Sequence, residues 1–83
     1  SLVLEWATAS EENFDRFIIE QQNDHAFVTT GEVKGNGASN RKIVYTWIID
    51  NTANGTHYFR LKAIDLDGQY EYSPVIVGKV TIN

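Results

Sequence analysis

Three acidic residues in the last third of the chain have types and spacing that suit a bound cation. Asp65 and Asp67 stand two residues apart before Gly68, and Glu71 follows closely enough to add a third carboxylate. Calcium prefers such oxygen ligands, and Asp-x-Asp-Gly begins a calcium-loop pattern. The same residues also suit a tight turn between antiparallel strands, because Asp caps local N–H groups and Gly adopts positive φ. We expect the turn, with calcium as the alternative.

Three tyrosines form the second candidate site. Because Phe59 and Leu61 take the buried face of their strand, we expect Tyr58, Tyr70 and Tyr72 to be exposed. Exposed aromatic rings can pack against the apolar faces of sugars. Strand propensity alone also explains solvated tyrosines. A carbohydrate-binding surface is therefore the alternative to a purely structural role for these residues.

Catalytic groups are not arranged for hydrolysis. Glu11 and Glu12 are adjacent and point apart in an extended chain, whereas a glycosidase needs two convergent carboxylates, so we expect both to solvate a turn. His25 and His57 fall in separate turns, and no serine has a Gly-x-Ser-x-Gly setting. The sequence therefore predicts a domain with no enzymatic activity, no catalytic residues and no required cofactor.

Composition limits the partners of this chain. Its 83 residues fit one domain, residues 1–83, and without Cys it has neither a disulfide nor a Cys-based zinc site. A net charge of −4 repels a phosphate backbone, so nucleic acid is not expected as a partner. The apolar runs are far shorter than the roughly 20 residues that span a bilayer, so membrane insertion is not expected either. Because a full strand follows Ser1 at once, we expect the domain to be excised from a longer chain.

Alternation of apolar and polar residues predicts an all-β fold that positions these groups. No stretch keeps an apolar period of 3.6 residues for long enough to form a helix. The short strands and their turn signals predict an antiparallel β-sandwich of six or seven strands. The strand at 43–49 carries apolar residues on both faces, so we expect it to be covered on both.

Polar segments between the strands predict the loops. Residues 8–15 are expected to form a loop with one helical turn capped by Ser10. A hairpin turn is predicted at 21–25, the most flexible stretch at 35–40, and another turn at 51–56. Inward-facing positions of the strands predict a core of Leu4, Trp6, Phe17, Ile19, Phe27, Tyr45, Phe59, Leu61 and Ala63.

Five segments, taken in chain order, match a known family pattern. They are residues 4–13 (LEWATASEEN), 17–20 (FIIE), 58–62 (YFRLK), 65–68 (DLDG) and 70–74 (YEYSP). Together they resemble the fibronectin type III-like module of secreted Bacteroidetes proteins, and the resemblance covers nearly the whole chain. It implies a fibronectin type III or immunoglobulin-like sandwich whose first strand here corresponds to strand B. Strand A would then be missing, truncated or upstream.

The resemblance also implies a location and a role. Such modules typically lie near the C-terminus of long extracellular polysaccharide hydrolases or adhesins, before a domain that directs type IX secretion. It therefore implies a secreted or cell-surface protein in which this domain is a non-catalytic spacer. The implied partners are neighbouring domains of the same chain. The alternative is a module that binds polysaccharide or calcium.

Overall fold

Seven strands make up the part of the chain that the computed structural model describes, which is residues 2–49 and 55–80. In chain order they are β1 (Leu2–Thr8), β2 (Glu11–Asn23), β3 (Ala26–Ser39), β4 (Ile43–Ile49), β5 (Gly55–Asp65), β6 (Tyr70–Tyr72) and β7 (Ile76–Val80). These residues include no helix, and thus none that could cross a membrane. The prediction of an all-β fold is confirmed.

The strands form two antiparallel sheets. One contains β1 and β4, and the other has the order β3-β2-β5-β6, with β7 also paired to β5. One edge of β5 pairs with β2. Its other edge pairs with β6 and β7, which follow one another along it. Pro74 lies in the gap between them, where a missing N–H interrupts no ladder bond. This arrangement is consistent with the predicted β-sandwich.

The core lies between the inner faces of the two sheets. Its buried cluster consists of Leu4, Phe14, Phe17, Ile19, Tyr45, Phe59 and Leu61. Trp6 and Ala63, which the sequence predicted to be in the core, are partly buried and pack against this cluster. Six of its seven members had been predicted, and Phe14 is the addition.

Phe27 lies on the outer face of the five-stranded sheet, so its predicted place in the core is wrong. The hairpin register sets Phe27 opposite Gln22, whereas the buried side chains of β2 include Phe17 and Ile19. Side chains alternate between the faces of a strand, so a residue opposite Gln22 points away from the core. The Phe27 ring instead packs against Arg60, whose guanidinium carbon is 4.2 Å from the ring centroid.

β2 begins at Glu11, so the predicted loop at 8–15 and its helical turn are wrong. Only residues 9–10 connect β1 to β2. The pairing of β2 with β3 shifts register between Glu11 and Phe14, and again between Phe14 and Arg16. Such bulges insert extra residues and break the two-residue alternation that identifies a strand. The buried positions of β2 are consequently spaced irregularly.

Strand β3 continues to Ser39, so most of the stretch predicted to be the most flexible is strand. Two glycines of β3 make room for aromatic rings. A Cβ on Gly35 would lie 2.2 Å from the Phe14 ring, and one on Gly31 would lie 2.2 Å from the Trp47 ring. Glycine within a strand often marks such a close approach.

The expectation that β4 is covered on both faces is also wrong. Val44 and Ile48 are 54% and 58% exposed. The two-stranded sheet packs one face on the core, and no described residue buries these two side chains on the other. The hairpin turn falls at Asp24 and His25, within the predicted segment. In the turn predicted at 51–56, residues 51–54 lie outside the described residues, and the last two belong to β5.

Replacing one core aromatic tests the assignment of faces. Phe59 is 0% exposed, so Phe59→Ala should lower the free energy of unfolding by about 3 to 5 kcal/mol. Its neighbour Tyr58 is 42% exposed on the opposite face, so Tyr58→Thr should change stability by less than about 1 kcal/mol. Urea denaturation followed by tryptophan fluorescence measures both. Equal losses would contradict the assignment.

Candidate functional site

A buried carboxylate lies where the chain crosses between the two sheets. Glu11 is 7% exposed, and its Oε2 accepts hydrogen bonds from the Thr8 hydroxyl, at 2.8 Å, and from the Tyr45 hydroxyl. Its Oε1 accepts the backbone N–H of Asn36 at 3.0 Å. The Asn36 side-chain amide also donates to the Tyr45 hydroxyl at 3.1 Å. These four residues, here called the Glu11 cluster, join β1, β2, β3 and β4.

Local backbone geometry turns Glu11 inward. Asn13 has a φ of 53°, in the left-handed region that Asn adopts more readily than most residues. It lies within the register shift between Glu11 and Phe14, which are both buried although they are three positions apart in a strand. The Asn13 carbonyl accepts the N–H of Leu66 at 2.8 Å, which ties this bulge to the turn after β5.

The hydrogen bonds determine the charge states in the cluster. Burial raises the pKa of Glu11, but hydrogen bonds from Tyr45, Asn36 and Thr8 outweigh it, so the pKa lies below its ordinary value. For Tyr45, burial raises the pKa, and the hydrogen bond to the Glu11 carboxylate raises it further. At neutral pH the cluster therefore pairs an ionised carboxylate with a protonated phenol.

This cluster is poorly suited to acid–base catalysis. A general acid needs a raised pKa, whereas that of Glu11 is lowered. Three donors already occupy its oxygens. The expectation that Glu11 and Glu12 solvate a turn is wrong, because both lie in β2; the bulge buries Glu11, whereas Glu12 is exposed. The two carboxylates point apart, and the arrangement stabilises the fold.

A second group of side chains covers the outer face of the five-stranded sheet. It comprises Phe27, Arg60, Tyr72, Lys62 and Tyr70, here called the outer-face stack. The Arg60 guanidinium carbon lies 4.2 Å from the Phe27 ring centroid and 4.0 Å from that of Tyr72. The Lys62 ammonium lies 4.0 Å from the Tyr70 centroid and 5.8 Å from that of Tyr72. Cations and rings thus alternate across the surface.

Strand register produces this alternation. Lys62 lies opposite Tyr72, and Ile64 lies opposite Tyr70. Arg60 also bonds Glu20 Oε1 through its Nε at 2.6 Å, which fixes the guanidinium between the rings. Each cation–π contact at an exposed site contributes on the order of 0.5 to 1 kcal/mol. The stack therefore holds the three-residue strand β6 against β5 through side chains as well as its backbone ladder.

The structure brings together two of the three tyrosines that the sequence selected. Tyr70 and Tyr72 meet edge to face, with centroids 5.5 Å apart. Tyr58 lies opposite Val77 on β7 and belongs to no described ring pair. All three are exposed, as expected, but a cation covers one face of the Tyr70 ring and one face of the Tyr72 ring. They do not form one open platform for a sugar.

Hydrogen bonds within the acidic turn use the Asp67 side chain and backbone groups. The Gln69 N–H donates to Asp67 Oδ1 at 3.1 Å, and the Gly68 N–H donates to the Asp65 carbonyl at 2.9 Å, with Gly68 at a φ of 89°. Glu71 lies on β6 opposite Ala63. Within residues 2–49 and 55–80, no three His, Cys, Asp or Glu side chains are grouped closely enough to hold a metal ion. The geometry is that of the predicted turn.

An open cleft of about 430 Å³ separates β1 from the segment that links β6 to β7. Its walls are largely apolar and include Trp6, Leu61, Pro74 and Ile76. Ser73 fixes the far wall, since its hydroxyl accepts the Leu61 N–H at 2.8 Å and donates to the Pro74 carbonyl. The indole N–H of Trp6 is buried and has no hydrogen-bond partner among the described residues.

Sequence reasoning missed the charged members of both groups. Arg60 and Lys62 are two residues apart, as are Tyr70 and Tyr72, so each pair shares a strand face. That spacing was a usable signal, but the contacts depend on a pairing register that the sequence does not show. Glu11 gave no comparable signal, because only the bulge distinguishes it from Glu12.

Comparison with known proteins identifies no relative of this chain. No family model matches the chain, and neither do the curated proteins or the solved structures that were searched. The class that the described fold defines is an all-β protein with antiparallel sheets of two and five strands.

Acid titration tests the role of the Glu11 cluster. A depressed pKa contributes stability above the unfolded value of about 4.3, and that contribution is lost as the pH falls through the folded pKa. At pH 7, Glu11→Gln should therefore lower the free energy of unfolding by about 1 to 3 kcal/mol. The difference from the parent should shrink below about pH 4.

Glu12→Gln is the matched control, because the neighbouring carboxylate is exposed. It should change stability by less than about 0.5 kcal/mol at every pH. Urea denaturation at a series of pH values measures both variants. Equal effects of the two substitutions at neutral pH would exclude a structural role for the Glu11 carboxylate.

Proposed function

We propose that this chain is a fibronectin type III-like spacer of a secreted or cell-surface multidomain protein of the Bacteroidetes type. The strand order supports the assignment of fold. β1 and β4 would correspond to strands B and E, and β3, β2 and β5 to strands C′, C and F. β6 and β7 together would correspond to strand G. Its partners would be neighbouring domains of the same chain, and it would have no catalytic activity.

The open edge of β1 fits the same assignment. β1 pairs only with β4 among the described strands, and the cleft beside it is apolar. In a fibronectin type III fold, strand A pairs with strand B at this position. We infer that strand A would pair with this edge of β1 and line the apolar cleft beside Trp6.

One observation carries the spacer role: Glu11, Arg60 and Asp67 are engaged in contacts within the fold. Glu11 is saturated by three donors, and Arg60 is held between two rings and Glu20. Asp67 caps the turn that contains it. Such contacts between side chains of the same domain make it rigid. A spacer between larger domains requires this rigidity.

A fusion that reports distance tests the spacer directly. The 83-residue chain, placed between two fluorescent proteins, should hold them at one narrow range of separations until it unfolds cooperatively. Phe59→Ala should shift that transition to lower denaturant, and Tyr58→Thr should not. Single-molecule energy transfer measures the distribution. A broad distribution in the absence of denaturant would contradict the proposal.

The competing ligand-binding roles are tested on the same chain. Titration of the isotope-labelled protein with calcium, or with neutral cello-, xylo- or chito-oligosaccharides, should move no amide resonances at millimolar ligand. Shifts confined to residues 65–71 would instead favour a calcium site at Asp65, Asp67 and Glu71. Shifts around Tyr58, Tyr70 and Tyr72 with neutral sugars would favour a stacking platform.

A further inference from the structure

The outer face of the five-stranded sheet carries charge of the opposite sign to the chain as a whole. Register places Arg16, Lys34, Arg60 and Lys62 on this face, together with Glu20 and Glu32, and the Asp15 carboxylate pairs with Arg16 beside them. These four are more than half of the seven Lys and Arg residues in a chain whose net charge is −4. An anion would therefore be attracted to this face and repelled by the rest of the molecule.

Two of these cations are not neutralised within the fold. Arg16 pairs with Asp15 and Glu32, and Arg60 pairs with Glu20. Lys34 and Lys62 make no ion pair with any described carboxylate. Lys62 is held instead over the Tyr70 ring. Its ammonium group is thus held at a fixed position beside the rings of Tyr70 and Tyr72, whose hydroxyls can donate hydrogen bonds.

The shape of the face favours a long ligand over a compact one. The stack spans β3 to β6 on an open sheet surface, and its ring contacts leave one face of the Tyr70 and Tyr72 rings covered. Neutral sugars and single-stranded bases bind largely by stacking on uncovered rings. A polymer that carries both carboxylates and hydroxyls can instead use the ammonium groups and the phenols together.

We propose that the outer-face stack, with Lys34, binds acidic polysaccharide, a sugar chain bearing uronic-acid carboxylates. Lys62 pairs with one carboxylate and Lys34 with another, while the hydroxyls of Tyr70 and Tyr72 bond to the sugar hydroxyls. This goes beyond the spacer role, because a spacer needs no ligand. The interaction is weak and salt-dependent, since it rests on exposed charges.

Oligogalacturonate and its fully methyl-esterified form test the proposal, because they share a backbone and differ in charge. In NMR titrations of the 83-residue chain at low salt, oligogalacturonate should shift amides of β5 and β6 near Lys62. The methyl ester should not. Raising the salt from about 0.01 M to about 0.5 M should abolish the shifts.

Variants separate this face from general charge effects. Lys62→Gln and Lys34→Gln should each weaken binding about two- to fivefold. Lys42→Gln removes an equal charge from the exposed β3–β4 connection and should leave binding unchanged. Lys34 makes no cation–π contact with a described ring, so its substitution tests the charge without removing a cation from the stack.

Three results would overturn the proposal. One is the absence of shifts at about 10 mM oligogalacturonate, because even millimolar affinity would be detected. Another is equal binding of the methyl ester, which would show that charge is not recognised. The third is equal binding of a poly-glutamate peptide, which would show that the protein binds carboxylates whether or not a sugar carries them.

Discussion

The hydrogen bond between the Glu11 carboxylate and the Tyr45 hydroxyl joins the two sheets at the end where the chain crosses between them. The crossing from β1 to β2 takes only residues 9–10, and that from β3 to β4 only residues 40–42. Apolar packing is non-directional and would tolerate small shifts of one sheet over the other. A buried carboxylate that accepts three hydrogen bonds from three other strands tolerates far less, because an unsatisfied charge in the interior is costly.

The aromatic core depends on that alignment. The Tyr45 ring stacks on Trp6 with centroids 5.8 Å apart, and Phe17 meets both rings edge to face, at 5.4 Å from Trp6 and 5.0 Å from Tyr45. Phe14 joins them because the bulges of β2 bring it inward and Gly35 leaves it room. A displacement of Tyr45 would therefore disturb several ring contacts, in addition to the hydrogen bond that its hydroxyl donates to the Glu11 carboxylate.

The two polar groups divide the tasks of the fold between its interior and its surface. The Glu11 cluster links the two sheets, whereas the outer-face stack holds the short edge strand β6 within one sheet. Both use charged side chains in fixed geometry. The two groups differ in their capacity to bind a ligand. The Glu11 carboxylate already accepts three hydrogen bonds, whereas the Lys62 ammonium lies on a surface that anions can approach.

Regular alternation explains why much of this fold could be predicted from sequence. Phe59 and Leu61 alternate with the less buried Tyr58, Arg60 and Lys62, so both the strand and its buried face were predicted correctly. Prediction failed at the bulges of β2 and along the glycine-rich half of β3, where ring packing rather than periodicity sets the backbone. Phe27 failed for a related reason, since one step of hairpin register decides its face and no local signal reveals that step.

The features of the candidate site also differ in whether the sequence could predict them. The exposure of Tyr70 and Tyr72 was predicted from the alternation of side chains along a strand. The cations that cover their rings come from β5, which the sequence does not show to be paired with β6. The burial of Glu11 follows from the backbone at Asn13, and single-residue propensities do not predict a left-handed conformation at one particular Asn.

A double-mutant cycle on Glu11 and Tyr45 tests most directly whether one hydrogen bond couples the sheets. Tyr45→Phe removes the hydroxyl and keeps the ring, and Glu11→Gln removes the charge and keeps the size. The free energies of unfolding of the parent, both single variants and the double variant should give a coupling energy of about 1 to 3 kcal/mol at pH 7. Additive effects, with a coupling below about 0.5 kcal/mol, would contradict this account.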